Sequence, residues 1–461
     1  MPTRSSLPRS VRPGAGPPAG SISAGIGDFR PGPGEGVLLT IEKLVYPGRS
    51  MAVLDGRVVF TDAGLPGEVV EAEPAGDRKN YLEARTTRIL RPSPARVAPR
   101  CAHYRACSSY QPLDYPVQIE VKRAQLVEIL AGAAEAALSG LEFVPSPEIW
   151  RYRNKVRFAV QREAGKVRLA YNAPGSRDEL VPVDDCQLVA RPVTDLLHAL
   201  LDIIRAGNFR TLAEVEARQA RDGRETLLNL YWSGPPALRD IDSVVAGLSG
   251  RASLVGIVSQ RRKGRNWAES TEWGRGWIED GAAGAEFLVG ARSFFQVNVP
   301  LLERVIADIR AAAGFGGTER LADLYCGVGT FGLALAEEVR EVHGVESDPA
   351  NIAFLSRNIE RNRARSFKIY EGPAGEWAAP LLGGGMDAAV FDPPRKGLDP
   401  EIVRSLLRKP PARLFYLSCN PTTLARDLKA LAPAYAITLI RGYDFFPHTP
   451  HIETLAVLEK K

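Results

Sequence analysis

The stretch Leu321–Gly332, LADLYCGVGTFG, carries a strand-like run, Leu321–Tyr325, directly into the loop Gly327-Val328-Gly329-Thr330-Phe331-Gly332, after which the pattern turns helical. A strand feeding a GxGxxG loop that opens a helix is the start of a β-α-β unit. Its glycines let the backbone approach a ligand at the helix N-terminus. The next strand ends in Glu346, a carboxylate placed to accept both hydroxyls of a ribose. Outward from this unit, everything after Glu286 alternates strand and helix: EVHGVES, a helical run, FKIYEG, MDAAVFDPPRKG, a helix near Pro400–Arg408, RLFYLSCNP and TTLARDLKAL. That alternation predicts a mainly parallel, doubly wound sheet, whose ligands sit at the carboxyl ends of the strands.

The glycine loop alone leaves two adenosine-bearing cofactors open, NAD and S-adenosylmethionine (SAM). Asp323, just ahead of the loop, favours the sulfonium cation of SAM over an anionic pyrophosphate. The fourth strand ends in Asp392 followed by Pro393-Pro394, a rigid loop with a carboxylate that can accept an N–H from a planar base. An aromatic residue to stack a flipped adenine is absent after the prolines, where Arg395 stands instead. The following strand delivers Cys419 to the same rim, ahead of a helix beginning near Thr422 whose N-terminal dipole would favour a thiolate. A thiolate there has a purpose in methyl transfer to carbon 5 of uracil, which is too weak a nucleophile until a thiolate adds at carbon 6. The carbon 5 proton must later be removed, and Glu453 in the final strand HIETLAVL is the candidate base.

The 461 residues carry 59 Lys+Arg against 54 Asp+Glu, a net +5 that permits a polyanionic partner without requiring one. Five cysteines do not make a secreted disulfide framework, so a reducing cytoplasm is expected. No run is long and apolar enough to span a membrane. Pro and Gly fill 15 of the first 36 residues, which predicts a disordered tail over residues 1–36. From 37 to 99, short alternating runs separated by Pro-Gly and Asp-Gly turns predict a small β-barrel. In RYRNKVRFAV, Arg151, Arg153, Lys155 and Arg157 share one strand face, a candidate stripe for RNA phosphates. The basic turn Arg261–Arg265 is a second, weaker candidate.

Together these residues resemble the SAM-dependent RNA uridine-5-methyltransferases. SFFQVN (Ser293–Asn298), DLYCGVGTFGL, GVES, FDPPRKGLDP, LSCNPTTLARDL and HIETLAVL carry the resemblance through the C-terminal part. LPGE (Leu65–Glu68) and its surroundings look like the TRAM RNA-binding domain, and YRNKVRF looks like the family's central domain. The resemblance implies a multidomain α/β chain: an OB-like TRAM barrel over 37–99, an α+β central RNA-recognition domain over 100–286, and a Rossmann-like class I methyltransferase domain over 287–461. It implies Cys419 as nucleophile and Glu453 as proton acceptor, with SAM held by Gln296, Tyr325, Gly327, Gly329, Thr330, Glu346 and Asp392. Thr330 and Gly372 stand where relatives often carry Asn and a polar side chain. Many TRAM-bearing relatives also hold a [4Fe-4S] cluster on four cysteines. Here Cys101, Cys107 and Cys186 match, but Tyr110 replaces the remaining ligand, so an intact cluster is not expected. The expected activity is methylation of carbon 5 of a uridine in RNA by a cytoplasmic monomer. 23S ribosomal RNA is the first substrate and transfer RNA the alternative. A base-amino methyltransferase, a nicotinamide dehydrogenase and a non-catalytic RNA-binding protein are the rivals.

Overall fold

The computed structural model describes residues 36–461 apart from 177 and 265, so the predicted tail lies, but for Gly36, outside the described residues. Six strands form the N-terminal sheet: β1 (Val37–Thr40), β2 (Lys43–Val45), β3 (Arg49–Leu54), β4 (Arg57–Thr61), β5 (Val69–Asp77) and β6 (Tyr81–Arg91). Their order is β1-β5-β6-β4-β3-β2. The edges β1 and β2 are separated in the chain only by Ile41 and Glu42, a reach of about 10 Å, whereas five inter-strand steps in a flat sheet would span about 24 Å. The sheet must therefore curl. Ile41 N–H donates to Glu68 on the β5 side and Glu42 N–H to Met51 on the β3 side, at 2.9 and 2.8 Å. No ladder pairs β1 with β2 among the described residues, so the predicted closed barrel is instead a curled sheet joined at its seam by chain. The LPGE motif has a structural use here. Glu68, fully buried, accepts from Leu65 N (2.8 Å), Ser93 N (3.0 Å) and the Arg96 guanidinium (2.6 and 2.8 Å), pinning the sheet to the chain that leaves it.

After β7 (Glu142–Val144), the middle of the chain forms β8 (Lys155–Glu163), β9 (Lys166–Asn172), β10 (Leu180–Pro182), β11 (Leu212–Gln219), β12 (Thr226–Trp232), β13 (Leu254–Lys263) and β14 (Asn266–Gly274). They make a sheet of order β10-β9-β8-β11-β12-β13-β14. The apolar stripes of helices Arg191–Ala206 and Leu238–Leu248 close its core. Of the expected cationic stripe, only Lys155 and Arg157 lie on β8, and three of its four cations are paired with acids. Arg151 pairs with Asp185 (3.0 Å), Lys155 with Glu216 (3.0 Å) and Arg157 with Glu214, while Arg153 Nε donates to Tyr152 Oη (3.3 Å). Glu214 and Glu216 come from β11, the antiparallel neighbour of β8, a pairing invisible in a single segment of sequence.

A ribbon of β15 (Trp277–Ala282) and β16 (Ala285–Gly290) leads into the C-terminal sheet. That sheet holds β17 (Arg320–Leu324), β18 (Glu341–Glu346), β19 (Phe367–Glu371), β20 (Ala388–Phe391), β21 (Arg413–Ser418), β22 (Tyr435–Tyr443) and β23 (Glu453–Lys460). The order is β19-β18-β17-β20-β21-β23-β22-β7. Its first five strands are parallel, and β23 is antiparallel to both neighbours. Alternate residues of β17 feed two apolar clusters: Leu321 joins the one with Phe331, Leu302 and Leu355, and Leu324 the one with Leu381, Ile402 and Leu424. The last strand in the order, β7, pairs parallel with β22, and helix Tyr115–Leu130 packs on helix Pro421–Leu431. Segment 115–144, within the range expected for the central domain, thus builds the edge of the C-terminal one.

Candidate active site

The ladders bring the predicted residues to one rim. Leu324 pairs with Val345 and Phe391, and Phe391 with Tyr416, so Tyr325, Glu346 and Asp392 leave neighbouring strands at the same level. The β21–β23 ladder ends at Ser418↔Thr454, which sets Cys419 and Glu453 at the abutting ends of the two strands. An antiparallel β23 is what allows its first residue to reach the carboxyl edge of the parallel strands.

At the glycine loop, Gly327 adopts φ 58°, and a Cβ placed there would meet nothing within 4 Å, so the loop faces open space. Gly327 N–H donates to Glu346 Oε2 at 2.9 Å, while Glu346 Oε1 accepts from Ser347 N and Asp348 N, both at 2.7 Å. Gly329 caps helix Thr330–Leu335 at φ 95°. Tyr325 Oη donates to Asp399 Oδ2 (3.2 Å). Asp323 lies deeper than its place in the sequence suggested. It is 1 % exposed, accepts Gly332 N–H at 2.8 Å, and burial pushes its carboxyl up to about 7. It supports the loop from beneath rather than facing a ligand.

Gln296 Nε2 donates to Asp392 Oδ2 at 3.1 Å. The central domain holds that segment in place: Asn154 Nδ2 donates to Gln296 O (3.3 Å) and Arg218 Nη2 to Ser293 O (2.7 Å). The Pro-Pro-Arg loop is tied to the cysteine's helix, because Asn420 Nδ2 and Thr423 Oγ1 donate to Arg395 O at 3.0 and 3.3 Å. Asn420 also caps helix Pro421–Leu431, accepting Thr422 N–H at 3.2 Å, with proline at the first helical position.

Cys419 is half-buried, and Glu453 is 3 % exposed with Oε2 buried and unpartnered among the described residues. Burial pushes the Cys419 thiol up to about 12, with Glu453 and Asp392 adding to the rise and Arg395 opposing it. Burial and the two acids thus favour the thiol form, opposite in direction to the helix N-terminus. Burial also raises Glu453 well above the carboxylate range, reinforced by Asp392, and it brings Asp392 up to about 7. Arg395 is the cation facing this acidic group, and its Nη2 also approaches His451 Nδ1 (3.4 Å). Arg395, His451, Asn154 and Arg218 were not singled out as site residues from sequence. Arg395 could have been, since it follows Asp392-Pro-Pro on the rim.

The three cysteines expected to match cluster ligands lie within electrostatic reach of one another, with Tyr110 in place of a fourth thiolate. Among the described residues, no group of three His, Cys, Asp or Glu side chains is arranged to hold a metal. Gln111 Nε2 donates to Cys101 Sγ (3.0 Å), Cys107 Sγ lies 3.3 Å from Ser108 Oγ, and Cys186 Sγ lies 3.7 Å from Tyr171 Oη. Tyr110 is 2 % exposed and accepts a hydrogen bond from Gln125 Nε2 (2.9 Å).

The family described as tRNA (Uracil-5-)-methyltransferase matches residues 286–383 and 385–461. An uncharacterized RNA methyltransferase of Halalkalibacterium halodurans is 31% identical over 448 residues, covering 92% of this chain and 97% of that one. Another, from Listeria monocytogenes, is 32% identical over 445 residues with the same coverage. Among solved structures, the Pyrococcus abyssi tRNA (uracil-54, C5)-methyltransferase in complex with S-adenosyl-L-homocysteine superposes with a TM-score of 0.72 at 26% identity, covering 92% of this chain and 100% of that one.

Proposed function

Since the chain belongs to the RNA uracil-5-methyltransferase family, we propose that this RNA methyltransferase methylates carbon 5 of a uridine through a covalent adduct on Cys419. The observation that carries this reading is the pairing of Cys419 with Glu453 at abutting strand ends, the latter with an unpartnered buried carboxyl oxygen.

SAM fits the adjoining loop. Gly327 faces open space and donates to Glu346, and Asp392, bonded to Gln296, leaves the neighbouring strand on the same rim. Gln296, Tyr325, Gly327, Gly329, Thr330, Glu346 and Asp392 would hold it. Bound there, it supplies an electrophilic methyl on a cationic sulfur, a charge that favours the anionic forms of the acids around it. Cys419 Sγ adds to carbon 6 of the flipped uracil, which makes carbon 5 nucleophilic. The thiol proton passes to the Asp392 carboxylate, which leaves Glu453 free as a base and returns the proton to the sulfur when the thiolate is expelled. After methyl transfer, Glu453 takes the proton from carbon 5, and the thiolate is expelled. Arg395 offsets the negative charge that appears on these groups.

23S ribosomal RNA is the proposed substrate, on the likeness of the N-terminal segment to a TRAM domain. Transfer RNA is the second reading, favoured by the full-length match to a solved transfer-RNA enzyme, which makes an N-terminal domain of this kind compatible with either RNA. The test is incubation with labelled SAM and unmodified ribosomal or transfer RNA, followed by mass spectrometry of the modified base. 5-Methyluridine is expected. Methyl on adenine, or on neither RNA, contradicts the proposal.

A further inference from the structure

The turn between β2 and β3, Tyr46-Pro47-Gly48, is not a free hairpin tip. Gly48 has φ 101°, and a Cβ added there would come within 2.8 Å of Pro450 Cβ, in the segment that leads into Glu453. Leu44 in β2 accepts from Gln125 Nε2 (2.8 Å), which also donates to Tyr110 Oη (2.9 Å). Tyr110 N–H donates in turn to His448 O (3.0 Å). The N-terminal sheet is thereby locked onto the catalytic loop through this turn. Tyr46 is half-buried and packs against the apolar cluster that contains Phe391 and Tyr416, residues of the strands that deliver Asp392 and Cys419. Its phenol lies within electrostatic reach of Arg395, Cys419 and Glu453. No hydrogen bond among the described residues engages its hydroxyl, so it has both an aromatic face and an unused donor to offer a ligand.

A flipped uracil must be held with carbon 6 toward Cys419 and carbon 5 toward Glu453. The carboxylates and Arg395 surround that position with charge, but a planar base also needs a ring or apolar surface against its face. On the uracil-methylation reading above, we propose that Tyr46 binds the target uridine, laying its ring against the base and donating its hydroxyl to a base carbonyl oxygen. Burial and the neighbouring acids raise the phenol, which keeps it a donor at neutral pH. The N-terminal domain would then do more than hold RNA phosphates. It would complete the pocket in which the base reacts.

Tyr46→Phe keeps the packing and removes only the donor, and Tyr46→Ala removes both. Measured on the full chain with the RNA that the wild type methylates, Tyr46→Phe should lower kcat/KM for RNA about tenfold and Tyr46→Ala about a hundredfold. Both variants should keep the wild-type dissociation constant for SAM, and Tyr46→Phe the wild-type thermal midpoint. A Tyr46→Phe enzyme with wild-type kcat/KM overturns the proposal. So does one whose SAM affinity or thermal midpoint falls in step with its rate, which would mark Tyr46 as structural. A wild-type protein that methylates no uridine is a different result: it overturns the uracil-methylation reading first, and this proposal with it.

Discussion

On the proposed mechanism Cys419 and Glu453 act at different moments, so their variants should fail differently. Cys419→Ala leaves nothing to add at carbon 6 and should form no adduct and no 5-methyluridine. Glu453→Gln should still add and accept the methyl, but turnover should drop by at least about a hundredfold, because a positioned base contributes that much or more. A stalled RNA–protein adduct should then accumulate on a denaturing gel; a Glu453→Gln enzyme that turns over at the wild-type rate would exclude the base assignment. Asp323 makes a separate prediction about pH. Its folded carboxyl is pushed from 3.8 up to about 7, so its contribution to stability is complete below about pH 4 and lost as pH rises through 7. Asp323→Asn can still accept the Gly332 N–H and escapes that loss. Its gain in thermal midpoint over wild type should be larger at pH 8 than at pH 4, and equal gains at both would contradict the assignment.

At the scale of elements, the site depends on how the loop between β22 and β23 is held. Lys122 of helix Tyr115–Leu130 reaches Asp444 Oδ1 at 2.5 Å, with both side chains fully buried, and donates to Phe446 O at 3.2 Å. Lys122→Ala would leave the carboxylate buried without its cation, and it should cost about 3–5 kcal/mol in urea unfolding. Pairing Lys122→Met with Asp444→Leu should recover most of that loss. This contact also marks the boundary of what the sequence could reveal. The rim of Tyr325, Glu346, Asp392 and Cys419 was legible because each residue ends its own strand, and local periodicity locates strand ends. Glu453 was legible through its chemistry with Cys419 and not through its position. The entry of β7 into the C-terminal sheet, the acids of β11 that neutralise β8, and the approach of Tyr46 to Glu453 all join segments far apart in the chain. No local pattern encodes those meetings, and only the folded ladders and helix contacts fix them.

Across the whole molecule, three regions meet at the candidate site: the N-terminal turn at Tyr46, the central residues Asn154 and Arg218 that hold the Gln296 segment, and the C-terminal rim. The neighbourhood of Cys101, Cys107 and Cys186 is occupied by Gln111, Ser108 and Tyr171, so the purified protein should carry far less than one iron per chain; four irons per chain by metal analysis would overturn that reading. The central claim is that the uracil ring is joined to Cys419 during methyl transfer. Its most direct test is to incubate the protein with SAM and 5-fluorouridine RNA, whose ring substituent cannot leave as a proton, and to map the product by peptide mass spectrometry. A methylated fluorouridine attached to the peptide containing Cys419 is expected. Methyl transfer to natural RNA by the same preparation, with no adduct on Cys419, would contradict it.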